Sequence, residues 1–163
     1  METGRGMDRL TTEERRRLVS LAARVDCERV RVYRGQHGGA ARALRRAVLW
    51  TSRGRAVALG NHVFLPDRCA GDIATLAHEL THCGQYQAWG AQRYFIRAAA
   101  AQLRGLLHRT LGVGQCPYAY RLEDGKPFDA YGMEQQGQIV EDSFRGDRAA
   151  LAVSPFRLPR EFT

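Results

Sequence analysis

The chain has 163 residues, 44% of them hydrophobic, and a net charge of +8 carried almost wholly by arginine. That length fits one domain, residues 1–163, around one core. No apolar run approaches the roughly 20 residues that a membrane-spanning helix needs, so no membrane span is expected. Residues 1–8 are polar and lack the apolar stretch of a Sec-type leader. The expected location is therefore the cytoplasm, or the exterior by a route that needs no such leader. A positive chain suits an acidic partner such as nucleic acid. The basic residues, however, come in short clusters, Arg15-Arg16-Arg17 and Arg45-Arg46, with no nucleic-acid motif beside them. Arginine spread over the surface is the favoured reading, and nucleic-acid binding is not expected. Cys27, Cys69, Cys83 and Cys116 show no C-x-x-C spacing. They predict free thiols, not a redox motif or a second zinc site.

Along the chain, Thr11-Thr12-Glu13-Glu14 is a capping-box start. It predicts an N-terminal helix to about residue 24 within the segment 1–28, with Leu18, Leu21, Ala22 and Val25 as its apolar stripe. Residues 29–33 alternate charged and apolar side chains, the pattern of a half-buried strand. Residues 35–39 form a loop, and 40–48 read as a short helix. Residues 56–65 hold two strand-like runs around Gly60-Asn61, a turn or bulge signal. A loop over 66–71 then leads to Asp72, which can cap a helix N-terminus.

The helix after Asp72 carries His78-Glu79-Leu80-Thr81-His82. On a helix, residues four apart stand one above the other, so both imidazoles face the same space and can bind one Zn²⁺. Glu79 flanks that metal without ligating it and can take a proton from an activated water. Ile73, Ala77, Leu80 and Gly84 form an apolar face opposite His78, His82, Gln85 and Trp89. That division predicts a helix at the floor of a cleft. Cys83, bordering the core face, reads as a small buried apolar residue. A second long helix is expected over 91–109, irregular chain over 112–127, a last helix over about 130–144 and a loosely held tail over 154–163.

A catalytic zinc site takes three protein ligands and leaves a place for water. The pattern H-E-x-x-H-x-x-G-x-x-H would supply a third His, but Gln85 and Ala88 stand at the required Gly and His positions. The remaining common source is a carboxylate from a later helix. In the helix over 130–144, Met133, Gly137, Val140 and Phe144 share an apolar face, bordered by Glu134 and Glu141. Asp142 points further toward solvent. Glu134 is the first choice as ligand, with Gly137 allowing close helix approach, and Glu141 is the second. Candidate donors to a developing oxyanion are Tyr118, Tyr120 and Tyr131, ahead of His62 and His108. A substrate strand is expected to add to the edge of the 56–65 segment.

Leu76-Ala77-His78-Glu79-Leu80-Thr81-His82-Cys83-Gly84-Gln85-Tyr86-Gln87 resembles a signature segment of the zincin-like metallopeptidase domain of the extracellular contractile injection system core family. Val30-Arg31-Val32-Tyr33 and Ala58-Leu59-Gly60-Asn61-His62-Val63 look like that domain's strands. Glu134-Gln135-Gln136-Gly137 is similar to its ligand-glutamate segment, so the resemblance spans roughly residues 29–145. It implies an α+β, minimal gluzincin-type fold, a small mixed sheet packed on the HExxH helix and a second metal-ligand helix. It also implies a bacterial origin and a partner in a secretion or toxin system. The chain departs from the family at Cys83 and Gly84, which replace larger apolar residues. It departs again at Gln138, where many gluzincins carry an Asp that orients a zinc-bound His. The resulting expectation is a zinc metalloendopeptidase with His78, His82 and Glu134 on the metal and Glu79 as general base. The rival reading is a zinc-bound structural or interaction module with little proteolytic activity.

Overall fold

A computed structural model of the chain describes residues 9–35, 38–156 and 159. The polar segment 1–8 and most of the tail beyond residue 156 lie outside the described residues. The first helix, α1 (Thr12–Arg17), starts on the expected capping box. Thr11 Oγ1 accepts from the Glu14 N–H at 3.2 Å, and the Glu14 carboxylate accepts from the Thr11 N–H at 2.8 Å.

The helix does not continue to residue 24. Leu18 leaves helical geometry, and a 3-10 turn, Val19–Ala23, follows. The period changes from 3.6 to three residues per turn, which aligns Leu18 with Leu21. Both are buried with Val25, while Ala22, counted in the apolar stripe, is exposed. The segment 1–28 is therefore not one helix. The tighter turn also brings backbone against the HExxH helix. A Cβ on Gly84 would stand 2.9 Å from the Arg24 carbonyl oxygen and 2.9 Å from Val25 Cγ2. This close approach explains why a glycine replaces the larger residue expected there.

Three short strands form one mixed sheet. β1 (Arg31–Tyr33) pairs parallel with β3 (His62–Phe64), and β2 (Val57–Leu59) pairs antiparallel with β3, giving the order β1-β3-β2. Gly60 opens the β2–β3 turn at φ +64, in the left-handed region. Val30, Val32, Ala58 and Val63 are buried beneath the sheet. Between β1 and β2 lies α2 (Gly39–Thr51), longer than expected at its C-terminal end. Its Arg45 is buried: Nε donates to the Leu65 carbonyl at 2.9 Å, and Nη2 pairs with Asp67 at 2.7 Å. One arginine of the second basic cluster is thus an internal tie, not a surface charge.

Asp72 caps α3 (Ile73–Trp89), its Oδ1 accepting from the Ala74 and Thr75 N–H groups at 3.1 and 3.2 Å. Ala77, Leu80 and Cys83 face the core. Gly90, at φ 79, separates α3 from α4 (Ala91–Leu111). Irregular chain over 112–127 leads through the 3-10 turn Phe128–Ala130 to α5 (Met133–Phe144), which packs along α3.

α5 is not the last helix. Asp147 caps a further short helix, α6 (Arg148–Val153), through the Ala150 N–H at 2.9 Å, and Ala150 is fully buried. The start of the tail is also held. Ser154 and Phe156 are buried, and Phe156 meets Phe128 edge-on at 6.1 Å. The result is a helix-rich α+β arrangement with a small mixed sheet. Among the described residues no helix is long and apolar enough to cross a membrane. All four cysteines are free thiols, and Cys83 is fully buried.

The Gly84 contact has a measurable consequence. Gly84→Ala places a methyl against backbone that cannot swing away. Urea unfolding is expected to show a loss of about 1–3 kcal/mol of stability. An unchanged midpoint would mean that the 18–25 segment is not seated there in solution.

Candidate metal centre

α3 and α5 present their polar residues to each other. His78, Glu79, His82 and Gln85 from α3 are buried, as are Glu134 and Gln136 from α5. The face opposite the core face of α3 is therefore covered by α5, not open to solvent along its length. The Nε2 atoms of His78 and His82 converge to 3.2 Å. Glu134 Oε2 lies 3.4 Å from His82 Nε2 and 3.8 Å from His78 Nε2. Ligands on a tetrahedral zinc ion, with bonds of about 2.0–2.1 Å, stand about 3.3–3.4 Å from one another. The three donor atoms fit that triangle closely. His78, His82 and Glu134 form a buried group able to hold a metal ion.

The His78 ring depends on a missing side chain. A Cβ on Gly137 would stand 2.8 Å from His78 Nε2 and 3.0 Å from both ring carbons beside it. Gly137 thus gives more than helix approach, because it is the floor on which the imidazole rests.

On the far side of the rings, His82 Nδ1 is hydrogen-bonded and His78 Nδ1 faces a carboxylate without a hydrogen bond. Gln136 Nε2 donates to the Tyr131 carbonyl at 2.9 Å, which turns its Oε1 toward Gln85. Gln85 Nε2 donates to that oxygen at 3.0 Å and to the Met133 carbonyl at 3.1 Å. With its amide nitrogen so committed, Gln85 directs Oε1 at His82 Nδ1, 2.8 Å away. When the ring is neutral, Nδ1 must then carry the proton, which leaves the Nε2 lone pair for a metal. Gln85 and Gln136 escaped the sequence reading, which placed Gln85 only on the His side of the helix. The available signal was the i,i+3 spacing from His82 to Gln85.

Glu141 serves the other histidine. Its Oε2 lies 3.0 Å from His78 Nδ1, in ion-pair range though off the hydrogen-bond line. It therefore stands behind His78, while Glu134 stands before it. Gln138, where an orienting Asp was missed, instead donates to Asp142 at 2.9 Å. The carboxylate at His78 is instead Glu141, about one turn further along α5.

Of the tyrosine candidates, the structure brings only Tyr118 to the cleft. Its ring centroid is 6.5 Å from that of His78, and Arg55 Nη1 donates to its hydroxyl at 3.3 Å. Tyr120 donates to Asp142 at 2.7 Å, and the Tyr131 hydroxyl accepts from the Glu123 N–H at 3.1 Å. His62 faces the Tyr33 hydroxyl at 3.1 Å, and His108 caps the Gly114 carbonyl at 3.0 Å. Neither joins the centre. The cleft over the centre encloses about 670 Å³ and is walled by β2, α4 and the end of α2. β2 is an edge strand, as a strand-adding site requires. Its Ala58 carbonyl, however, already accepts from the buried Tyr94 hydroxyl at 3.1 Å.

The charges of the centre are strongly coupled. Burial opposes a charged His78, but the Glu134 and Glu141 carboxylates outweigh it and push its pKa up to about 10. His82 moves up for the same reason, Glu134 prevailing over burial. Burial acts against ionised Glu134 too, yet the two imidazoles hold its carboxyl well below the usual range. Glu79 goes the other way: burial raises it, and the neighbouring histidines only partly offset that.

A family model described as the eCIS core domain matches residues 10–90. The matched stretch contains the HExxH helix, extends toward the N-terminus beyond residue 29 and ends before α5. No curated protein and no solved structure shows significant similarity to the chain.

Two outcomes test this geometry. Gly137→Ala should displace the His78 ring and lower zinc affinity by roughly 10–100-fold, the range for losing an orienting contact. Competition with a chromophoric chelator measures it. Metal uptake should also release protons, since a raised histidine pKa leaves the ligand protonated at neutral pH. Affinity then rises with pH through the neutral range, up to the His78 value near 10, by about tenfold per unit for each proton displaced. A pH-independent constant would show the ligands already neutral.

Proposed function

We propose that the chain is a zinc-dependent metallopeptidase that hydrolyses peptide bonds and works with a bacterial contractile injection system. The observation that carries this reading is the buried His78–His82–Glu134 triangle with Glu79 at the same cleft. Two imidazoles and one carboxylate are the donor set of a catalytic zinc site with a coordination position left open. A bound zinc ion supplies Lewis acidity, which brings the pKa of water down to about 7.

The chain's own residues do the rest. Glu79 accepts the proton of the attacking water and passes it to the leaving amine. Burial raises its pKa, the direction that favours holding the proton between the two steps. Tyr118, with Arg55 Nη1 at its hydroxyl and its ring 6.5 Å from that of His78, is the donor we assign to charge developing on the carbonyl oxygen. Gln85 and Glu141 hold the two rings in register from behind. The link to an injection system is supported by the eCIS core domain match over residues 10–90.

A second reading keeps the metal and drops the chemistry, making the chain an interaction module of the same apparatus. The tie of Tyr94 to the edge strand favours it, since that bond removes a main-chain partner from the cleft.

Glu79→Gln separates the two. It should leave zinc stoichiometry intact and lower peptide cleavage by about 10²–10⁴-fold. Glu134→Ala should lose the metal, and Glu141→Ala should retain it with weakened affinity. A wild type that cleaves nothing in a broad peptide library, zinc loaded, would establish the module instead.

A further inference from the structure

The walls of the cleft carry charge of one sign. Its carboxylates are Glu79, Glu134 and Glu141, all gathered at the histidine pair. The other charged groups lining it are Arg53, Arg55, Arg68 and Arg109. Among the described residues, no carboxylate ion-pairs with any of these four. Other arginines among the described residues, including Arg24, Arg45 and Arg145, do form such pairs.

Three of the four are held together by a built turn between α2 and β2. Arg53 has φ 56 and is the one non-glycine residue with positive φ among those described. Holding an arginine in the left-handed region costs energy that glycine or asparagine would not incur. The next residue, Gly54, is also left-handed at φ 73, and its N–H donates to the Leu49 carbonyl at 2.6 Å. Arg68 Nη2 donates to the Gly54 carbonyl, and Ser52 Oγ donates to the Arg55 carbonyl at 2.8 Å. Arg55 then spreads over the Tyr118 ring at 5.7 Å. The turn sets three guanidinium groups on the cleft while satisfying its own backbone.

Elsewhere the walls are apolar. Leu59 on β2 and Phe95 and Leu106 on α4 line the cleft and remain 41, 46 and 44% exposed. Large apolar side chains left open beside guanidinium groups mark a surface that is completed by something else. The Ala58 carbonyl is taken, so main-chain pairing on β2 is reduced and side chains must supply more of the recognition.

We infer that the cleft selects an acidic peptide segment, with carboxylate side chains on Arg53, Arg55, Arg68 and Arg109 and a bulky apolar residue against Leu59, Phe95 and Leu106. This names the substrate class of the proposed hydrolase, and it rests on that reading only for the cleavage that follows binding.

The test uses the zinc-loaded full chain carrying Glu79→Gln. The probes are two short fluorescein-labelled peptides with a central leucine, one flanked by glutamates and one by lysines. Fluorescence anisotropy should show the glutamate peptide binding at least about tenfold more tightly, with the advantage shrinking as salt is raised. Arg53→Asn with Arg109→Gln removes two charges, and asparagine tolerates the left-handed turn, so the pair should fold normally. It should erase most of that preference and leave binding of an uncharged leucine peptide unchanged. Equal affinity for both peptides, or a preference untouched by the double substitution, overturns the inference. The wild type separates the two proposals. Tight binding of the acidic peptide without cleavage supports the specificity and sinks the hydrolase. Cleavage of both peptides at equal rates sinks the specificity and supports the hydrolase.

Discussion

The seat of the His78 imidazole on Gly137 is the contact on which the centre depends. α3 supplies two rings one turn apart, which any helix with this spacing would do. They become a metal-binding arrangement only because α5 comes close enough to bring Glu134 Oε2 within 3.4 Å of His82. That approach is possible only where α5 has no side chain. One helix then furnishes a carboxylate in front of the rings, a second behind them and the glutamine that fixes Gln85. The ligand geometry and its support are two aspects of a single helix–helix contact.

The electrostatics follow from the same contact. Two buried carboxylates, Glu79 and Glu134, and the partly buried Glu141 share the floor of the cleft with two buried imidazoles. Without a cation, the histidines must hold protons to balance Glu134 and Glu141, and their raised pKa values express that demand. A divalent ion replaces those protons directly. The packing thus stores a charge deficit that a metal satisfies, and the cost of burying the carboxylates becomes affinity for the ion.

Much of this was legible in the sequence, for reasons that differ by element. His78, Glu79 and His82 could be read because their chemistry depends on spacing within one helix. The capping box at Thr11 and the Asp72 cap are equally local. Glu134 was reachable because two His donors four apart call for a third donor and few carboxylates border an apolar face after residue 90. The tertiary parts were harder. The break at Leu18 goes with the approach of residues 24 and 25 to Gly84, a tertiary contact that no local propensity encodes. α6 is six residues long, and its one fully buried side chain is an alanine, so its apolar signal is faint. Glu141 was weighed only as the second choice of ligand after Glu134, since helix geometry aligns the two and says nothing about which ring nitrogen each meets. Gln85 is a neutral side chain whose purpose appears only when Gln136 and Met133 close the hydrogen-bond chain.

The bond from Tyr94 to Ala58 reaches beyond recognition. A sheet of three short strands has two edges, and β2 provides one of them in a region lined by open apolar side chains. An unpaired edge beside such side chains invites another strand, and another copy of the chain is the most abundant source of one. By occupying the Ala58 carbonyl with a buried hydroxyl, α4 interrupts the ladder that such pairing would need. The same tyrosine that takes a main-chain acceptor from the cleft wall also removes one that a neighbouring strand would need to join sheet to sheet.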